Sequence, residues 1–377
     1  MSPLQDTESN QHEMHAGHEL ESGVLARVRE WIDILPWLRL LRTLRMAGSP
    51  SMILIAMLTL AIWSPVDQWI RGVNLPAAVE STVSVSSKVT DSSQVTDMAP
   101  QRFSVWFPTS ANPMRAITAS FSAESQQHSG GILRLLCSLL WTLIAWSFAS
   151  LVFVRQGGLL TAGRSMLSVR VIVKSILPRS IAAWIAGIVP MLCVAFLAAM
   201  IWGLGWIAAW MPESGFVQFP LAMLITVLAI PSGILAFGAI VAVAFAWAAI
   251  GNERDPDALD ALSRGYEYLY RRPAHLILYG VVSLVLFWIV MFLIGGVTDA
   301  AARITLAVLV GTSAPAMTGN FALQILAQIP TATAFAFGWG LVGGVYLLIR
   351  FDAGGQQVED VWLPAEVPAD PFPTLPS

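Results

Sequence analysis

Two short stretches of this chain hold side chains of the types and spacing that do chemistry. The first is "HEMHAGHE", where His12, His15 and His18 recur every three residues with Glu13 and Glu19 beside them. Imidazoles at that spacing fall near one helical face and could hold zinc or nickel. The stretch lies in a polar N-terminal tail, and the chain has five histidines in all, with no second cluster to orient these three. The expectation is therefore adventitious binding or none, and no cofactor is assigned.

The second is "DPDALDALSRGYEYLYRRP", Asp255 to Pro273, the densest run of charge in the chain. Asp255 suits an N-cap, Pro256 the first helical position, and Asp257 the positive end of the helix dipole. On a wheel Leu259, Leu262, Tyr266, Leu269 and Tyr270 share one face, with Asp257, Asp260, Arg264, Glu267 and Arg271 opposite. Asp260–Arg264 and Glu267–Arg271 are acid-before-base pairs at i,i+4, the favourable order. Four of the five tyrosines, Tyr266, Tyr268, Tyr270 and Tyr279, sit in or just after this segment, as in a headgroup belt. Acids with bases one turn away leave little free charge for catalysis. The expected role is an interfacial helix, with Asp260, Arg264, Tyr266, Glu267, Tyr270 and Arg271 as the candidate contact surface for a partner.

Other chemistry is sparse. HExxH, GxSxG and Walker GxxxxGK[ST] patterns are absent, as is any carboxylate pair within an apolar run. An enzyme is not expected. Intramembrane charge would mark a proton or ion path, but the centres of the later apolar runs have none; His275 and Asp67 stand at edges. Cys137 and Cys193 lie in apolar runs and read as small buried hydrophobes.

The elements that must carry these residues are long and apolar. Of 377 residues 56% are hydrophobic and 12% charged, about half the charge usual in soluble domains. A net charge of −3 argues against a nucleic-acid partner. A membrane helix needs about 20 mostly apolar residues, and six runs qualify: 52–70, 132–154, 181–210, 219–250, 276–297 and 331–349. The first is the weakest, being interrupted by Pro65 and Asp67, and starts too far in for a cleaved signal peptide; it reads as a signal anchor. Pro190 and Pro231, with Gly187 and Gly233 near, are expected as kinks absorbed by packing. Gly340 and Gly344 form a GxxxG pair that permits close helix approach, within the bundle or between subunits.

The expected fold is thus all-α, a polytopic integral membrane helix bundle of about six transmembrane helices with interfacial amphipathic helices. Lys and Arg fall fifteen against five on alternate sides, which puts both termini in the cytoplasm. The parts are a polar tail and basic amphipathic segment (1–50), a first span (51–70), a flexible external loop (71–130), a five-helix membrane bundle (131–350) and a Pro-rich tail (351–377). Loops 155–180 and 251–275 are cytoplasmic, and 298–330 rests at the outer interface. The order span, amphipathic segment, proline, span occurs at 132–210 and again at 219–297, a possible internal repeat.

The run "DALDALSRGYEYLYRRPAHLILYG", preceded by "AWAAIGNE", resembles a motif of uncharacterised multi-pass membrane proteins of planctomycete-type bacteria. The ending "VYLLIRFDAGGQQVEDVW" is similar to that family's last span and acidic tail, and Gly157–Gly158 fits its second loop. Gly265, where a serine is usual, and the serine-rich external loop depart from the pattern. The resemblance implies topology and no activity. The function expected is a non-enzymatic, permease-like or scaffold component of the cytoplasmic membrane, acting with the lipid bilayer and with membrane or cytoplasmic proteins. The alternative is a transporter or channel for an uncharged or amphiphilic solute, using the Pro/Gly-broken third and fourth spans.

Overall fold

An apolar run of this length can satisfy its backbone in hydrocarbon only by closing every hydrogen bond within itself, as a helix. The computed structural model describes residues 35–71, 131–212, 214–254, 257–311 and 316–363, and among them there is no strand. A 3-10 stretch, Pro36–Thr43, and a single turn, Leu44–Ala47, lead into α1 (Pro50–Arg71). Then follow α2 (Gly131–Thr161), α3 (Val169–Ile176), α4 (Ser180–Trp210), α5 (Gly215–Asn252), α6 (Ala258–Arg271), α7 (Pro273–Gly311) and α8 (Ala316–Gly354). Six of these are long and apolar enough to cross a membrane. The His12, His15 and His18 cluster and the loop 72–130 lie outside the described residues, as does 364–377.

Each long helix outruns its apolar core. The 39 residues of α7 reach about 58 Å, nearly twice a hydrocarbon layer of about 30 Å. Residues 298–311 continue α7 and residues 316–330 open α8, with 312–315 outside the described residues. Gly311 is the last described residue of α7, and Gly319 is tolerated inside α8. Likewise α2 carries Arg155, Gly157 and Gly158 within the helix rather than in a loop. It stops at Gly163, whose φ of 78° permits a left-handed cap in which Gly163 N donates to Leu160 O and Arg164 N to Leu159 O. Pro65, Pro190 and Pro231 all sit inside continuous helices.

The axis of the bundle is α8: 78% of its most apolar stretch is buried, against 11% for α5. Small residues let α2 approach it. Added Cβ atoms at Gly157 and Gly343 would strike the backbones of Gly340 and Val154, and one at Gly344 would come 2.6 Å from Thr161 Oγ1. The Gly340/Gly344 pair therefore serves packing inside the bundle. Aromatic contacts seal this core, Trp146 stacking on Phe335 at 4.2 Å and Trp247 lying 5.2 Å from Trp339. Despite Pro65, α1 is clamped to α2: Trp63 Nε1 donates to Thr142 Oγ1 at 2.9 Å, and Ser138 donates to buried Asp67.

One expectation changes. Cys137 and Cys193 are exposed free thiols on helix surfaces, because an apolar surface suits a lipid-facing side as well as a core. The described part of the basic amphipathic segment, residues 35–46, leaves Leu41, Arg42 and Arg45 exposed on one side. It is packed under the bundle, with Leu40, Thr43 and Met46 fully buried, since Gly340 and Gly344 leave room for Met46 and Leu40. The order helix, amphipathic helix, proline, helix is observed twice, as α2–α3–Pro178–α4 and α5–α6–Pro273–α7.

Candidate functional site

The ends of α2, α5 and α8 and the starts of α4 and α7 meet at one end of the bundle, where the arginines gather. There α6 lies between α5 and α7. Its N-cap is Asp257, whose carboxylate accepts from Leu259 N at 3.0 Å; Asp255 and Pro256, expected to open the helix, are outside the described residues. The face turned inward is Ala258, Ala261, Leu262, Gly265 and Tyr268, while Leu259 is 57% and Tyr270 49% exposed. Packing thus selected the small side of the wheel over its most apolar side. Gly265 is the reason, since a Cβ there would strike the Ala242 backbone of α5.

Both expected ion pairs form, Arg264–Asp260 at 2.6 Å and Arg271–Glu267 at 2.8 Å. Arg264 also holds Glu253, at 2.9 and 2.8 Å to its two oxygens, and Tyr346 of α8 donates to the same carboxylate. Burial works against the charge on Arg264, but Glu253 and then Asp260 outweigh it and keep the guanidinium above its ordinary value. Glu253 thus ties α5, α6 and α8 together. Glu253→Ala is expected to cost about 2 kcal/mol, because it strands two donors, and Glu267→Ala no more than about 0.5 kcal/mol. Thermal unfolding in detergent checks both, and equal effects would refute the distinction.

Three of the tyrosine hydroxyls bond to neighbouring helices. Tyr266 and Tyr270 donate to the α5 carbonyls of Leu235 and Ile234 at 3.0 and 2.7 Å, and Tyr279 to Asp352 at 2.6 Å. Burial, then the neighbouring Tyr270, pushes Tyr266 up to about 12, and burial raises Tyr268 too. The Tyr266 and Tyr270 hydroxyls fix α6 to α5, while that of Tyr279 joins α7 to α8.

The second part of the site has no counterpart in the sequence reading. Beyond α8 the chain turns at Gly355, φ 66°, and residues 355–363 run back beneath the bundle as a strap. Val358 and Val361 are buried, and Trp362 N donates to Asn252 O at 3.1 Å. Arg179 reaches the carbonyls of Ile250, Glu253 and Arg254 at 2.8, 2.6 and 3.1 Å, and its guanidinium stands 4.0 Å from the Trp362 ring centre. Arg155 donates to Trp362 O, and Arg350 to Asp360 O at 2.5 Å. The spacing of Val358, Val361 and Trp362 was the available signal: an apolar i, i+3, i+4 set in a polar tail.

Arg39 fastens the strap from outside, 2.5 Å from Glu359. Burial opposes ionisation of Glu359, but a backbone hydrogen bond and Arg39 hold its carboxyl below the ordinary 4.5. A depressed acid stabilises above its unfolded value and loses that contribution as pH falls through the folded one. Protease cleavage of the strap should therefore rise below pH 4.5, and Glu359→Gln should remove the dependence. Glu359 is half exposed, so the effect is under about 1 kcal/mol. A flat profile in the unaltered chain would contradict it.

Between α5, α7 and α8 lies a cavity of about 350 Å³, open to the side, lined by Ile240, Phe245, Leu284, Phe287 and Leu341 with Ser283 its polar member. It is not between the third and fourth spans. Among the described residues no cluster of His, Cys, Asp or Glu could hold a metal. No family model, curated protein or solved structure matches the chain. The class is therefore set by the helices: an all-α bundle with six helices long and apolar enough to span a membrane.

Proposed function

We propose that the chain is a non-enzymatic scaffold component of a cytoplasmic-membrane assembly, with both termini in the cytoplasm and α6 as the surface that receives a partner protein. The observation that carries this is the outer side of α6. Leu259 and Tyr270 are exposed there, and among the described residues Glu267 and Arg271 pair with each other. A rigid helix so presented offers an apolar anchor rimmed by charge. The gathering of arginines at that end supports the orientation.

Arg264 is unsuitable for testing the surface, because it holds Glu253. Leu259→Glu with Arg271→Glu leaves the packing intact and should abolish co-purification of the partner from gently solubilised membranes. Unchanged recovery overturns the reading. Reporter fusions at Ser84 and Ser263 should lie on opposite sides of the membrane, and same-side signals would refute the topology.

A second reading, transport of an uncharged or amphiphilic solute, is favoured by the apolar cavity alone. Gly280 lines it with open space around its Cα, so Gly280→Phe should fill it without disturbing the fold. Loss of solute flux in that variant supports transport, and unaltered flux removes the cavity from consideration.

A further inference from the structure

The cavity between α5, α7 and α8 has a closed back and an open side. Phe245, Leu341 and Val345 are buried behind it, while Ile240 on α5 and Leu284 on α7 are its exposed lips. Both lips lie in helices long and apolar enough to span a membrane, so the mouth faces hydrocarbon once the bundle is embedded. There α7 packs against α8, and α5 against α4 and α6, which leaves α5 and α7 parted at the mouth. Gly280 widens it, since nothing lies within 4 Å of a Cβ added there. Water is a poor filling, because it needs several polar partners and Ser283 is the polar side chain of the lining. An unfilled void forfeits the contacts its walls would make. Charge at the near end selects among apolar fillings. Leu276 of the lining stands one turn into α7, and its N–H donates to Arg272 O at 3.2 Å. Arg271 is taken by Glu267, whereas Arg272 has no acidic partner among the described residues, and His275 is exposed beside it.

We propose that this cavity takes one acyl chain of an anionic phospholipid, whose headgroup is held at Arg272 and His275. The inference rests on the placement of the bundle in a membrane, and on neither a partner at α6 nor transport. The chain enters sideways between Ile240 and Leu284 and lodges against Phe245 and Leu341. A phosphodiester at the junction of α6 and α7 gives Arg272 the counter-charge it lacks. One arginine near a membrane surface favours anionic lipid by about fivefold.

The test places the full chain in phosphatidylcholine bilayers with a trace of phosphatidylglycerol carrying a photoreactive diazirine at mid-chain, and maps the labelled residues. Phe245 and Leu341 are buried, so label on them comes from a chain inside the cavity, whereas exposed Leu54 on α1 reports ordinary lipid contact. Label is expected at all three. Gly280→Phe should cut that on Phe245 and Leu341 about tenfold and leave that on Leu54 unchanged. Leu284→Trp, on the exposed lip, is a second blocking variant with the same expectation. A phosphatidylcholine probe should label the cavity about fivefold less than the phosphatidylglycerol probe, and Arg272→Gln should remove the difference. Label on Leu54 with none on Phe245 or Leu341 overturns the proposal. So does cavity label that survives both blocking variants, or a headgroup difference that survives Arg272→Gln. Absence of label on every helix overturns the membrane placement itself.

Discussion

Gly157→Ala is expected to unfold the bundle, at a cost of about 3 kcal/mol. The added methyl would meet the carbonyl, carbonyl carbon and Cα of Gly340, and backbone cannot step aside as a flexible side chain can. Nor can α8 retreat as a whole. Gly343 rests on the Val154 backbone and Gly344 on Thr161, so a shift that relieves one contact opens the others. Lipid chains are as apolar as leucine, so close packing of this kind carries much of the association between helices. Gly203→Ala in α4 is the control. Nothing lies within 4 Å of its added Cβ, and helix propensity predicts a gain of up to about 1 kcal/mol. Thermal unfolding of the two purified variants decides the matter, and equal melting temperatures would overturn the account of the core.

The contrast between these glycines shows where the sequence is legible. Number, type and order of the long helices follow from uninterrupted apolar runs, which leave the backbone one solution. Boundaries did not follow, because a helix ends where its breakers are and not where its apolar residues stop. Thus Arg155 continues α2, 298–311 continue α7 and 316–330 belong to α8. The pairs Asp260–Arg264 and Glu267–Arg271 were readable because i,i+4 neighbours are set by the helix alone. Glu253, eleven residues before Arg264, was not, since its partners come from α6 and α8. The inner side of α6 was not readable for a related reason. Leu259 and Tyr270 lie on the more apolar face of the wheel, but the close approach to Ala242 admits only glycine at 265. Size outweighed hydrophobicity there, and a single sequence does not carry the neighbour's shape.

Arg179→Met is expected to be the most damaging change at the arginine end, at about 3 kcal/mol. The last carbonyls of a helix have no partner within it, and α5 ends in the interior, with Ile250 and Asn252 both fully buried. Its termination is supplied by neighbours. Arg179 takes the carbonyls of Ile250, Glu253 and Arg254, Trp362 N takes that of Asn252, and the Asn252 amide takes that of Ala248. Methionine keeps the volume of the stem and leaves three acceptors stranded, and it also withdraws the cation from the Trp362 ring. Arg179→Lys should recover only part of the loss, since a single ammonium cannot span three carbonyls as a guanidinium does. The order expected in thermal unfolding is therefore arginine, lysine, methionine, with cleavage of the strap by added protease rising in the same order. Were methionine as stable as arginine, the end of α5 would be held by its own backbone, and Arg179 would have no structural part in seating the strap.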